Sequence, residues 1–510
     1  MSSNKTIARN TILLYIRMIF TMLISLFTSR VVLAKLGVED YGIYQVVGGV
    51  VGMLSFLNGA LSTGSSRFLT FALGRNDKEG LSRTFSTTLS IHIILALLIA
   101  LLAETIGLWF FYHKLAIPDN RLFAASVAYH LSILTSLISI TQVPYGAVII
   151  AHEKMDIYAY MSIVDVVLKL TIVYLLSISP WDKLIFYATL LCIIQISIAL
   201  FYRIYCIRNF EESKYKFIYD KKILKEISKF SGWSLFANLS IALNGQGTTI
   251  ITNMFFSPSV VAARAIALQV NMAATQLVNN FRTAVNPQIV KRYAAGDKVG
   301  SRKLLLNSTK YSFYLMYIVA VPIILLAQPL LQIWLGQIPE YSVIFLQLVV
   351  VESLFAVFDT SLYTALYAKG QLKQNALISP LIGFIRFPIV YFLFKNGCSP
   401  VTLSWAGIIS NMILGLIIKP ILIHKIVNYP TKEILRLFID CGKIVIISVP
   451  IIYILYILIE SLHLNLISNF IITGVYNVCI IGVIIFYLGI DSNTRKQLIT
   501  FIASKIQNHK

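Results

Sequence analysis

The stretch 259–290 carries Arg264, Asn271, Thr275, Asn279, Arg282 and Asn286 in an otherwise hydrophobic chain. At 100° per residue these side chains fall within an arc of about 80° on one helix face. Arg264 and Arg282 point the same way, about 27 Å apart along the axis. A guanidinium group binds phosphate through forked, charge-assisted hydrogen bonds. The chemistry on offer is therefore capture of an anion by a polar stripe.

Other ionisable residues sit at comparable depth: Arg17, Arg30, Arg67, His92, Glu104, Asp165, Lys169, Glu352, Asp359 and Arg386. Cations outnumber carboxylates among them, which again favours an anionic ligand. Each also has a plainer reading. Arg67 lies near a span end, where its stem can snorkel to water. Asp165 and Lys169 are four residues apart and can pair with each other. Glu352 and Asp359 share a face at i,i+7, either as proton or sodium sites or as counter-ions to the arginines. His92 and His113 read as structural. Tyr44, Gly48, Ser55, Asn58 and Ser62 share a second face, suited to close packing or a hydrophilic wall. The five cysteines are scattered singly, with no zinc spacing, and no phosphate-binding loop or acid pair in an aqueous loop is present. No metal or cofactor is expected, and no catalytic residue is assigned.

The elements that must hold these groups follow from composition. The chain has 510 residues, 57% hydrophobic and 13% charged, with mean hydropathy +0.78. A soluble protein needs roughly 25% charged residues to cover its surface. An all-α polytopic membrane protein is the consequence. Fourteen segments have spanning length: 11–36, 41–71, 85–112, 121–150, 156–179, 183–206, 229–256, 259–290, 308–335, 341–367, 376–395, 401–424, 438–460 and 466–489. A central arginine facing lipid costs about 3 kcal/mol even on the mildest scale. The stripe on span 8 must therefore face a wet cavity or a partner helix.

Lys and Arg concentrate in the even-numbered connections, notably Arg75, Lys78 and Arg83, the run Arg208–Lys229, and Lys291–Lys303. The odd-numbered ones carry little: Lys35, Lys114, Arg121, Lys183 and Lys395. Basic loops mark the cytoplasmic side, so both termini are expected inside. The formal net charge of +21 is thereby explained without a nucleic-acid partner. Every connection is short, which leaves no external domain for soluble catalysis and counts against a membrane glycosyltransferase or polymerase.

The chain also repeats itself at a shift of about 220 residues. "FALGRNDKEG" (71–80) matches "YAAGDKVG" (293–300), "IPDN" (117–120) echoes "IPEY" (338–341), and "LKLTIVYLL" (168–176) matches "IRFPIVYFL" (385–393). Two six-helix lobes related by a pseudo-two-fold along the membrane normal are expected, with helices 13 and 14 outside the repeat. The division is 1–207 (N-terminal lobe), 208–228 (basic cytoplasmic linker), 229–428 (C-terminal lobe) and 429–510 (helices 13 and 14 with a cytoplasmic tail).

Segments 36–75, "VPYGAVIIAHEKMDIYAY" (143–160), "NMFFSPSVVAARAIALQVN" (253–271) and "NNFRTAVNPQIVKRYAAGD" (279–297) resemble the bacterial O-antigen and capsular polysaccharide flippases. The likeness covers about 1–430 and extends to the superfamily that also holds multidrug extruders and lipid II flippases. It implies alternating-access transfer of an undecaprenyl-diphosphate-linked oligosaccharide from the cytoplasmic to the periplasmic leaflet of the inner membrane. It further implies polysaccharide polymerase and chain-length machinery as partners, beside membrane lipids. Related flippases place basic residues on spans 1, 2 and 8, which carries over to Arg17 and Arg30 by helix and to Arg264 and Arg282. The substrate-binding candidates are Arg30, Arg264, Arg282, Asn271, Asn279, Asn286, Arg17 and Asn58, with Arg67, Lys169 and Arg386 beside them. Asp165, Glu352 and Asp359 are the candidates for coupling to a proton, sodium or the membrane potential. A drug/cation antiporter is the rival within transport, and the cationic surplus counts against it.

Overall fold

A computed structural model describes residues 2–53, 69, 73, 78–152, 154–216, 238–371, 373–462, 465–491, 495–496 and 500, with side chains from residue 20 onward except at 155, 158, 159, 284 and 287. Helices are the regular elements among the described residues. They are α1 (Ser2–Met53), α2 (Lys78–Lys114), α3 (Leu122–Ala151), α4 (Met155–Ile178), α5 (Lys183–Asn209), α6 (Thr248–Phe255) and α7 (Pro258–Ala294). Then follow α8 (Lys298–Leu325), α9 (Ala327–Leu335), α10 (Ser342–Lys369), α11 (Lys373–Lys395), α12 (Thr402–Val427), α13 (Thr431–Glu460) and α14 (Leu466–Gly489).

Twelve stretches among the described residues are long and apolar enough to cross a membrane. The fourteen segments of the sequence reduce to this number for two reasons. Spans 1 and 2 join in α1, broken at Gly37, whose φ of +81° only glycine adopts cheaply. Span 7 is described only from 238 onward. The chain is a multi-pass membrane protein. Its helices begin where polar side chains cap them: Asp182 accepts from the amides of Leu184 and Ile185, each at 3.1 Å, and Asp297 from that of Gly300 at 2.7 Å. Large apolar side chains such as Leu97 and Ile446 stand exposed at 66% and 73%, a cost in water that disappears in lipid.

Packing divides the chain into two compact units, Met1–Ala265 with Ala376–Pro400, and Ile266–Asn375 with Val401–Lys510. In the first, α3 runs along α5, and α1 along α3 and α4. Gly42 of α1 meets Pro258 so closely that a Cβ there would lie 2.0 Å from the Pro258 carbonyl oxygen. In the second, α10 packs on α8 and α12, and α14 on α8 and α13. Phe358 of α10 stacks on Phe313 at 5.0 Å and meets Phe438 edge-on at 5.2 Å. These units follow contact density, whereas the six-helix lobes follow the repeat.

Candidate functional site

Gly407, Asn411, Gly415 and Lys419 recur every fourth residue on α12. On a regular α-helix each such step drifts by about 40°, so Lys419 would stand about 120° from Gly407. Between them lies a π-helical turn, Ile413–Ile418, whose wider i→i+5 winding takes back part of that drift. The two glycines let α12 press on α10. A Cβ on Gly407 would be 2.5 Å from the Glu352 carboxylate, and one on Gly415 would be 2.8 Å from the Phe355 carbonyl oxygen. Asn411 donates to Glu352 at 3.0 Å. One turn beyond Gly415, the Lys419 ammonium lies 3.1 Å from Asp359, donates to the Asn375 side chain, and stands 5.3 Å over the Tyr363 ring. Lys419 is 1% exposed.

Three residues of the α7 stripe turn towards the same helix. The Ser353 hydroxyl donates to Asn271 at 2.9 Å, and the Thr364 hydroxyl donates to Asn286 at 3.3 Å. Between them Arg282 donates to the Thr360 backbone carbonyl. Of the two surroundings open to a polar stripe, a partner helix is the one these residues have. Arg282 also feels the Asp359 carboxylate, and its Nε is buried with no hydrogen bond among the described residues. Arg282 and Lys419 thus share one carboxylate. Among the described residues these three carry one more positive than negative charge, an excess that is costly out of water until an anion joins it.

The remaining candidates are placed as follows. Arg264 belongs to the first unit, is 7% exposed, and reaches the Thr249 hydroxyl at 3.4 Å. Arg386, also in the first unit, is buried on α11. Arg30 and Asn279 are exposed. Lys169 pairs with Asp165 at 2.8 Å, the local pairing their spacing allows. Arg17, Asn58 and Arg67 lie outside the residues whose side chains are described.

Sequence reasoning missed Lys419, Asn375 and Asn411. The signal was present as a fourfold spacing of small and polar residues ending in a lone lysine. It also missed the junction of three distant segments in the first unit. Arg121, read as a sparse loop charge, holds Asp40 and Asp182 at 2.6 Å each. Burial works to raise the Asp182 pKa, but the Arg121 hydrogen bond and charge, with the amides of Leu184 and Ile185, outweigh it and hold that carboxyl below its ordinary value.

A family model described as polysaccharide biosynthesis protein matches residues 7–293, more than half of the chain. The chain belongs to the polysaccharide biosynthesis protein family. This family member is 22% identical over 427 residues to the uncharacterized membrane protein EpsK of Bacillus subtilis (strain 168), covering 82% of this chain and 83% of that one. Its fold is similar to that of the lipid II flippase MurJ in an inward closed conformation, with TM-score 0.71 and 15% identity over 93% of this chain and 99% of that one. An inward-facing multidrug resistance MATE family transporter of the MOP superfamily gives TM-score 0.65 at 16% identity, over 80% and 96% of the two chains. This polysaccharide biosynthesis protein therefore has the fold of the MOP-superfamily transporters.

Proposed function

We propose that the protein is a flippase that moves an undecaprenyl-diphosphate-linked oligosaccharide, an O-antigen or capsule repeat unit, from the cytoplasmic to the periplasmic leaflet by alternating access. The observation that carries the reading is the Arg282–Asp359–Lys419 cluster, two cations to one carboxylate on spans 8, 10 and 12. Family membership supports a cargo from polysaccharide biosynthesis. A diphosphate head brings the negative charge that such a cluster lacks. Carried bare through hydrocarbon, that head would cost many kcal/mol, and fixed donors replace its water. Arg264 and Arg30, in the first unit, are further candidate cations for an anionic ligand. In this reading Asp359 and Glu352 serve first as internal counter-ions and hydrogen-bond partners.

The distribution of Lys and Arg supports placement in the inner membrane with both termini cytoplasmic. An inside-negative potential then assists outward movement of each net negative charge by about 2.3 kcal/mol per 100 mV.

The test is complementation in a strain lacking its own O-unit flippase. Wild type, Arg30→Ala, Arg264→Ala, Arg282→Ala and Lys419→Met are expressed at matched membrane levels. Surface polysaccharide is scored against lipid-linked precursor. Wild type restores display, and Arg282→Ala and Lys419→Met strand precursor inside. Full display by both of those variants would remove the cluster from the mechanism. Failure of wild type with several different O-units would remove the cargo assignment.

A further inference from the structure

Two open cavities with mixed polar and apolar walls lie in the first unit. The larger, about 520 Å³, opens among α1, α3, α4 and α5 and is lined by Gln142, Ser162, Asp165 and Lys169. The smaller, about 290 Å³, is lined by Tyr44, Ser132, Thr135 and Ser136. Ser139 and Gln195 line both, so the two spaces adjoin. The larger alone falls within the roughly 300–1,000 Å³ of small-molecule sites.

The walls keep hydrogen-bonding capacity unspent. Gln195 donates to the Gln142 side-chain oxygen at 2.9 Å. Among the described residues this leaves the Gln142 amide NH₂ and the Gln195 carbonyl for another partner. Lys169 donates to one oxygen of Asp165 at 2.8 Å, leaving the second carboxylate oxygen and two ammonium N–H groups. Ser139 is exposed to the space and adds a hydroxyl. Inside a membrane span such groups are expensive unless something polar fills the cavity. The charges on the described wall are one ammonium and one carboxylate, already joined. This wall therefore exerts little net pull on an ion. It offers donors and acceptors side by side, the complement of a ligand whose every hydroxyl both donates and accepts.

We infer that this cavity binds a neutral, hydroxyl-rich sugar residue. The inference rests on the oligosaccharide reading above and adds a carbohydrate subsite distinct from the cationic cluster. Gln142 and Gln195 form its amide pair, Asp165 and Lys169 its charged pair, and Ser139 stands where the two spaces adjoin.

The probe is the reducing oligosaccharide freed by mild acid from the lipid-linked repeat, which lacks both lipid and diphosphate. Saturation-transfer NMR is recorded with the full chain in nanodiscs. Wild type transfers saturation to the sugar ring protons. Gln142→Leu/Gln195→Leu binds about tenfold more weakly, from the hydrogen bonds lost. Ser139→Phe, which narrows the junction and keeps both glutamines in the chain, weakens binding as well and carries the test where the amide variant does not fold. The inference is overturned if wild type shows no transfer, or if folded variants bind as well as wild type; the cavity then holds water only. Intact precursor translocation without sugar binding sinks this subsite and leaves the flippase reading standing. Sugar binding without translocation of any precursor does the reverse.

Discussion

Removing one member of the Lys419–Asp359 pair tests whether the cluster holds an excess of positive charge. Breaking a buried ion pair costs about 3–5 kcal/mol because one charge stays buried and uncompensated. The two halves of the pair are not equivalent here. Lys419 is 1% exposed, so Asp359→Ala takes the carboxylate from an ammonium held out of water, and a cost of about 3–5 kcal/mol is expected. The Asp359 side chain is 20% exposed and keeps Arg282 as a counter-ion, so Lys419→Met should cost less, about 1–3 kcal/mol. Asp359→Leu/Lys419→Met should recover most of the loss, since a well-packed apolar pair often matches a buried ionic one. Equilibrium unfolding of the three variants in mixed micelles gives the order. If Lys419→Met proves as damaging as Asp359→Ala, or the double variant is worse than both, the two-cations-to-one-carboxylate account is wrong.

Three further outcomes are expected. Arg121→Ala leaves Asp40 and Asp182 without their shared cation and should destabilise by about 2–4 kcal/mol, discounted for partial exposure, in the same unfolding assay. The depressed Asp182 pKa gives a stabilisation present above its ordinary 3.8 and lost as pH falls through the lower folded value; thermal melts from pH 5 down to 2.5 should show that loss in wild type and not in Asp182→Asn. Gly42→Ala drives a Cβ into the Pro258 backbone and should cost about 1–3 kcal/mol, visible as a lower melting temperature.

Local patterns in the sequence carried over to the structure, and pairings between distant segments did not. The Asp165–Lys169 bridge spans four residues of one helix, so periodicity alone exposed it. The polar stripe of 259–290 was legible for the same reason. Its neighbour was not, because Asn271 and Asn286 find Ser353 and Thr364 only after four helices have packed. Lys419 was hidden by position: one lysine near the end of an apolar run looks like a snorkelling residue. What buries it is the approach allowed by Gly407 and Gly415 and the π turn between them, and a π turn has no simple sequence signature. Arg121 was hidden because its two carboxylates come from distant segments of the chain. Gly37 was visible as a break between two apolar runs, but that it would join them with no intervening loop was not.

The order of the cluster along the chain has a consequence for how the protein is made. Arg282 leaves the ribosome first, Asp359 next and Lys419 last. At about 5–20 residues per second, the 60 positions from Asp359 to Lys419 take about 3–12 s. During that interval Arg282 and Asp359 can enter the bilayer as a neutral couple. The lysine then arrives, on a helix rich in isoleucine and leucine, at a carboxylate already in place. Asp359 and Lys419 thus each follow an opposite charge already made, and Arg282 alone precedes its partner.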